Sequence, residues 1–318
     1  MSMSEFDIIR RFFATQAQTR SDVTLGIGDD AALLKVPPGN ELAVSTDSLV
    51  AGVHFPTDLP ADAIGHRALA SNLSDLAAMG ATPAWVVMAL TLPEADETWL
   101  ESFSRGFFAL AHRYSVALVG GNMARGPLNV TLTVHGHVPE GRALTRSGAQ
   151  VGDLVYVTGH PGDAAAGLKL LQAGSADMQH ACVRRFAYPE PRLAAGQALR
   201  GLASAAIDVS DGLLADLGHL LEVRGFGAKL SLERLPLSPE LLGLHAQDEA
   251  WKLALTGGDD YELCFTVYPA QAAAAEARLA EAGCPAACIG AIESVPGIHC
   301  VDRAGRVHEY LRPGHRHF

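Results

Sequence analysis

Apolar and polar positions along the chain fall into short segments whose period switches between about 3.6 and 2 residues. Ser4 and Asp7 open the first segment in the manner of a capping box, and Phe6, Ile9, Phe12 and Phe13 give a short amphipathic helix. Residues 41–50 alternate as a strand does and bring Thr46 and Asp47 near its end. Residues 60–79 follow a helical period, with Gly80 as the stop. On that helix Arg67, Ser71, Ser74 and Asp75 recur at spacings of three and four and share a polar face. Ile64, Leu69, Leu73 and Leu76 form its apolar face. The polar face reads either as solvated surface or as the approach of another element or a ligand.

Residues 84–92 predict a buried strand, 98–114 a helix, and 116–119 a short strand ending at Gly120-Gly121. Between 129 and 138, Val130, Leu132 and Val134 alternate with Thr131, Thr133 and His135, the pattern of a half-buried antiparallel strand. Composition then turns to Gly, Arg, Ser and Gln over 139–153, which sets a domain boundary and gives domains at 1–140 and 150–318. The second half reads as a strand at 154–158, a turn at Gly159-His160-Pro161-Gly162 and an Ala-rich helix. Helices near 191–202 and 212–223, a strand at 261–267 and a helix at 271–282 follow. Strands and helices alternate in both halves, so two α/β domains are expected, with no repeat of fixed period.

Charge and composition narrow the function. A formal net charge of −11 over 318 residues, with no basic stripe, argues against nucleic acid as a partner. An acidic chain still binds phosphates where cations invert the local field. Five cysteines without a CxxC pair fit a reducing compartment and structural thiols, and Pro285 between Cys284 and Cys288 argues against a zinc site there. No signal-peptide pattern opens the chain, and its longest apolar run, about 85–92, is too short for a bilayer. A cytoplasmic protein without a membrane partner is expected.

The candidate chemistry lies in short aspartate-bearing segments at the ends of apolar runs. They are Gly28-Asp29-Asp30, Ser45-Thr46-Asp47, Ser71 to Asp75, Asp208-Val209-Ser210-Asp211-Gly212 and Gly257 to Glu262. Taken singly, each has an ordinary explanation: an Asp-rich turn, a solvated helix face, an N-cap at Ser210 or Asp211. Taken together, so many carboxylates repel unless hard divalent cations with oxygen ligands sit among them. A helix starting just after Asp208 to Gly212 would add backbone N–H groups for phosphate. The turn at 159–162 is no P-loop, because the Gly-Lys-Ser/Thr ending is absent. Arg125 and Arg146 stand in glycine-rich surroundings as candidate phosphate contacts or plain surface arginines.

In this order the segments resemble the thiamine-monophosphate kinase family of the aminoimidazole-ribonucleotide-synthetase-like superfamily. The residues that carry the resemblance are 26–32, 45–50 with 52–55, 70–80, Gly120-Gly121 with Arg125-Gly126, 207–213 and 256–263. It implies an α/β (α+β) fold of two domains. The N-terminal mixed sheet would pair in a homodimer, and a C-terminal α/β domain would complete the active site. The implied activity is transfer of the γ-phosphoryl of ATP to thiamine monophosphate with several Mg²⁺ ions. By motif match the metal shell is Asp30, Ser45, Thr46, Asp47, Asp75, Asn122, Asp208 and Asp211. Gly121, Asn122, Arg146 and Ser210 would contact ATP, and His54, Asp259 or Glu262, and Phe318 would face the thiamine end.

One position departs from the pattern. The family has Asp after the two glycines, and here the residue is Asn122, a ligand without charge. The acceptor in such a reaction is itself a phosphate, whose second pKa of about 6 leaves it largely deprotonated near neutrality. No general base is therefore needed, and none stands out. Two other readings stay open: another ATP-dependent member of the superfamily, such as a ring-closing synthetase, and a non-catalytic cation or nucleotide sensor.

Overall fold

The computed structural model describes residues 4–174 and 177–310. Phe318, expected at the thiamine end, lies outside the described residues. The chain divides into two units, Met1–Leu76 with Ala81–Gly141, and Ala77–Gly80 with Arg142–Phe318.

The first unit opens with α1 (Glu5–Ile8), which continues as a wider π-type turn over Ile9–Ala14. The expected capping box is present: the Ser4 side chain accepts from the Asp7 N–H and the Asp7 side chain accepts from the Ser4 N–H. A small hairpin of β1 (Val23–Leu25) and β2 (Leu33–Leu34) follows. The main sheet holds β3 (Asn40–Val50), β4 (Thr82–Leu92), β5 (Ala117–Arg125) and β6 (Asn129–Pro139) in the order β3-β6-β4-β5. β6 runs antiparallel to both neighbours, whereas β4 and β5 are parallel, so the sheet is mixed. The parallel pair is joined through α3 (Glu97–Arg113).

α2 (Ala61–Ala78) ends where expected, with Gly80 left-handed at φ +64°. Its polar face is not solvated. Arg67, Ser71, Asn72 and Ser74 are all buried and only Asp75 is half-exposed, so packing surrounds nearly the whole helix. Small residues allow that packing. A Cβ at Gly65 would stand 2.3 Å from the Phe103 carbonyl oxygen of α3, and one at Gly106 would stand 1.9 Å from that of Asp62. β5 does not stop at the two glycines but runs through them to Arg125. Gly121 lets β4 approach, because a Cβ there would stand 2.0 Å from the Met88 carbonyl oxygen. A bulge at Val119 precedes it.

On the opposite sheet face, the hairpin packs Val23 and Leu34 over Trp85. Asp22 anchors it: its carboxylate accepts from Arg20 Nε at 2.9 Å, Arg20 Nη2 at 2.6 Å and Trp85 Nε1 at 3.1 Å. The Arg20 hydrogen bonds, against some burial, hold the Asp22 carboxyl below the usual carboxylate range. His135 and His137 sit beside Trp85, and burial pushes both imidazoles below their ordinary pKa.

The second unit is built on a seven-stranded sheet. Its strands are β7 (Leu154–Thr158), β8 (Ala203–Val209), β9 (Gly227–Ser231), β10 (Glu262–Val267), β11 (Ala286–Glu293), β12 (Gly297–Val301) and β13 (Val307–His308). They lie in the order β13-β12-β9-β11-β7-β10-β8, and only the β12/β9 pair is parallel. Alternation of strand and helix along the chain therefore gives a largely antiparallel sheet, because successive strands enter it at separated positions. α7 (Leu213–Glu222) presents Leu213, Leu214, Leu217 and Leu220 to the core with Val155, Val157 and Ile207. The free edge of β8 is covered by the segment before β7, where the Thr145 carbonyl accepts from the Ala206 N–H at 3.0 Å. α4 (Asp163–Gln172) follows β7 as the sequence predicts, whereas α6 (Leu193–Ala198) is shorter than its expected 191–202. Arg192, just before α6, leaves helical geometry at ψ +43°.

Candidate active site

In the first unit three elements present the expected ligands. Ser45 and Asp47 lie one strand period apart on β3 and share the face against α2. The Ser45 hydroxyl donates to Asp75 Oδ2 at 2.6 Å, and the Asp47 N–H donates to Asn72 Oδ1 at 3.1 Å. Asn72 in turn donates to the Ala68 carbonyl, so a buried amide fixes the strand against the helix. Thr46 points the other way. Its hydroxyl donates to the Leu132 carbonyl at 2.9 Å and meets Thr133 Oγ1, so it does not share the face of Ser45, Asp47 and Asp75. His54 stands in the turn after β3 with Nδ1 accepting from the Val50 N–H at 2.9 Å, which places the neutral ring's proton on Nε2.

Asp30 sits in the exposed loop after Gly28, its N–H donating to Asp29 Oδ1 at 2.9 Å. Asp30, Gly121 and Asn122 line one cavity of about 470 Å³. Phe6 and Ile9 from the N-terminal helix and Met88, Leu118 and Met123 from the sheet add apolar surface, and Glu5 and Asp29 add two further carboxylates. The helix read from the first residues is thus a wall of this cavity, a role its own pattern did not announce. Arg125 donates through Nε to the Pro93 carbonyl at 3.2 Å.

In the second unit the two acidic loops form one body. The Ser210 carbonyl accepts from the Asp259 N–H and the Val209 carbonyl from the Tyr261 N–H, both at 2.8 Å. Gly258 makes this contact possible, since a Cβ there would lie 2.5 Å from the Ser210 oxygen. Asp259 and Tyr261 hold left-handed backbones, at φ +69° and +50°, on either side of Asp260. Asp208 ends β8 as a buried carboxylate, while Ser210 and Asp211 are half-buried. Arg146 is exposed, beside the Thr145 carbonyl that pairs with β8.

Three carboxylates beside these loops are held by structural partners. Asp216 Oδ2 accepts from the N–H groups of Ser210, Asp211 and Gly212 at 2.9, 3.1 and 3.2 Å. Burial, then the Asp211 charge, push its carboxyl up to about 7 against the pull of those donors. Asp260 accepts through both oxygens from the Gly162 N–H at the start of α4, and burial pushes its carboxyl well above the usual range. Glu262, expected to face substrate as the alternative to Asp259, is buried and engaged. Arg192 donates to it through Nε at 2.6 Å and Nη2 at 2.5 Å, and Thr158 Oγ1 donates at 2.6 Å. Gly159 lies against the same carboxylate, where a Cβ would clash at 2.0 Å. Burial opposes the Arg192 charge, and Glu262 more than restores it, raising the guanidinium pKa. Of the two residues, Asp259 keeps the place beside the Asp208 loop, and Glu262 holds the turn after β7 to Arg192.

Among the described residues no three His, Cys, Asp or Glu side chains converge as a ready-made metal cage. The donors present are oxygens: carboxylates, the Ser45 hydroxyl and the Asn122 amide. Mg²⁺ is commonly held by one or two carboxylates together with waters and substrate phosphates, so this donor set fits that ion and not zinc.

The whole chain has relatives. Residues 28–138 match the family model "AIR synthase related protein, N-terminal domain", and 150–302 match "AIR synthase related protein, C-terminal domain". The thiamine-monophosphate kinase of Escherichia coli (strain K12) is 50% identical over 325 residues, covering 100% of this chain and 99% of that protein. The chain belongs to the thiamine-monophosphate kinase family. Among solved structures of that family, the thiamine-monophosphate kinase from Stenotrophomonas maltophilia K279a superposes with a TM-score of 0.88 at 45% identity, covering 97% of this chain and 99% of the other. AaThiL complexed with AMPPCP and TMP superposes at 0.77 with 31% identity and 89% of each chain covered. As a thiamine-monophosphate kinase family member the chain is an enzyme, and its mixed two-unit α/β architecture is the expected one. No helix among the described residues is long and apolar enough to cross a membrane.

Proposed function

We propose that the chain phosphorylates thiamine monophosphate to thiamine diphosphate with ATP, by direct in-line transfer, as the last step in making that diphosphate. The observation that carries the reading is the Asp30, Gly121 and Asn122 cavity, which combines apolar side chains with oxygen donors. Its volume suits a nucleotide base, which would lie against Phe6, Ile9 and Met88, with the phosphates toward Asp30 and Asn122. AaThiL, a relative of like fold, was solved with AMPPCP and TMP, which supports ATP and thiamine monophosphate as the ligands here.

Asp30, Ser45, Asp47, Asp75 and Asn122 from the N-terminal domain, residues 1–140, would hold Mg²⁺, with Thr46 taking part through its main chain. Asp208 and Asp211 from residues 150–318 would hold further ions. When bound, the ions supply charge neutralisation between two polyanions, the main obstacle to phosphoryl transfer. The protein's own groups do the rest. Arg146 and Ser210 contact the nucleotide phosphates, while His54, Asp259 and Phe318 position the thiamine end. Glu262 acts from behind by fixing the turn after β7. No side chain removes a proton, because the attacking phosphate oxygen is already ionised near neutrality.

The chain would work as a homodimer in the cytoplasm. Leu42 and Val44 leave apolar surface exposed on the long edge strand β3, which supports pairing of the N-terminal sheets. Steady-state assay with ATP, Mg²⁺ and thiamine monophosphate tests the reading, and absence of ADP formation with that acceptor overturns it. A chemically competent covalent phosphoenzyme would overturn direct transfer alone.

A further inference from the structure

The segment from Asp208 to Gly212 runs from the end of β8 to the start of α7 and carries three residues assigned above to metal and nucleotide. Its local sequence does not hold it in one shape. Gly212 sits at φ +117° and provides no side-chain cap, and among the described residues α7 begins without a capping hydrogen bond from its N-cap residue. Instead three consecutive N–H groups, those of Ser210, Asp211 and Gly212, turn inward onto the one oxygen Asp216 Oδ2 at 2.9–3.2 Å. Asp216 lies on the first turn of α7 and is only 3% exposed, so its carboxylate faces this concave run of donors rather than water. Three N–H groups drawn to one side turn the Ser210 carbonyl to the other. That carbonyl accepts the Asp259 N–H at 2.8 Å, so the orientation passes on to the second acidic loop.

We propose that Asp216 is a positioning residue for phosphoryl transfer: it touches neither substrate nor ion, and it fixes Ser210, Asp211 and, through the Ser210 carbonyl, Asp259. This inference rests on the functional reading above for what those three residues bind. Its structural part stands on the hydrogen bonds alone. A charged acceptor bonds N–H groups more strongly than a neutral one, so Asp, Asn and Ala at 216 form a graded series of the same brace.

The test combines amide hydrogen exchange of the ligand-free protein with steady-state kinetics. In Asp216→Ala, exchange in the peptide spanning 209–213 rises at least tenfold, while peptides from α3 and α10 (Ala272–Glu281) stay unchanged. In the same variant kcat for thiamine monophosphate falls at least tenfold, with a smaller change in KM for ATP. Asp216→Asn falls between wild type and Ala in both readouts. Unchanged exchange at 209–213 in Asp216→Ala overturns the brace, and raised exchange with unchanged kcat overturns its role in the reaction. If the Ala variant does not fold, Asp216→Asn decides: wild-type exchange with reduced kcat means that the charge acts rather than the position, and overturns the proposal. Wild-type protein without kinase activity refutes the functional reading, while the exchange arm still reads the brace.

Discussion

The two units hold their candidate ligands by different means. In the first, Ser45, Asp47 and Asp75 stand on a strand and a helix whose regular backbone sets their direction, and short polar contacts to Asn72 and Ser45 complete the arrangement. In the second, Asp208 stands on β8 but Ser210, Asp211 and Asp259 stand at loops, and buried groups hold the neighbouring backbone: Asp216 for the loop at 210–212, Asp260 and the Glu262–Arg192 pair for the turn before α4. A strand ladder satisfies its own N–H and C=O groups. A loop packed into a protein must find partners elsewhere. The second unit therefore buries carboxylates to hold its loops, whereas the buried Arg67 of the first lies on α2, and the second unit's function and stability should be harder to separate.

The largest expected effect is on activity and should be common to both units. Asp47→Asn and Asp208→Asn each remove a carboxylate proposed to hold Mg²⁺ against the phosphates, an electrostatic contribution of about 3–4 kcal/mol, so kcat should fall roughly a hundred- to thousandfold. Wild-type rates in either variant would remove that residue from the site. Stability separates the units next. Arg192→Ala leaves Glu262 buried without its cation and should cost about 3–5 kcal/mol by urea denaturation. Asp30→Ala, at an exposed loop, should stay within about 0.5 kcal/mol. Equal losses in the two variants would contradict the contrast.

A smaller effect falls on the hairpin of the first unit. Asp22→Asn weakens charge-assisted bonds to Arg20 and Trp85 and should cost about 1–3 kcal/mol. Because the folded-state pKa of Asp22 lies below its unfolded value, its contribution is complete above the ordinary carboxylate range and lost as pH falls through the depressed value. Wild type and Asp22→Asn should therefore converge in stability in acid, and a constant difference down to the lowest pH would refute the assignment. The smallest effect concerns Asn122. Asn122→Asp adds a charged ligand and should lower the Mg²⁺ concentration for half-maximal rate, and an unchanged dependence would count against Asn122 as a ligand.

How much could be read beforehand differs from element to element. The capping box at Ser4 and Asp7, the helix closed by Gly80 and the alternating strand of β6 were legible because period and cap lie in adjacent residues. β5 was not, since Gly120-Gly121 looks like a break when read locally. Gly121 instead admits the Met88 carbonyl of the neighbouring strand. The polar face of α2 read as possible surface, and only packing reveals it as buried. Asp216 had a faint signal, an acidic residue in an apolar stripe four positions after Gly212. Arg192 had none, because its partner Glu262 is 70 positions away. The short elements α5 (Ala181–Ala187), α8 (Pro239–Leu244) and α9 (Gln247–Thr256) went unread, as did β9 and β11 to β13.

By itself the sequence determined the longer helices and strands with clear periods, the positions of the acidic segments and, through those segments in order, the family. Each of these depends on neighbours in the chain or on short motifs. The tertiary structure decided which carboxylates act outward and which act inward. Asp211 and Asp216, or Asp259, Asp260 and Glu262, are the same chemistry a few residues apart. What divides them is whether the folded surroundings supply buried N–H groups and a guanidinium, and that depends on residues brought together from distant parts of the chain.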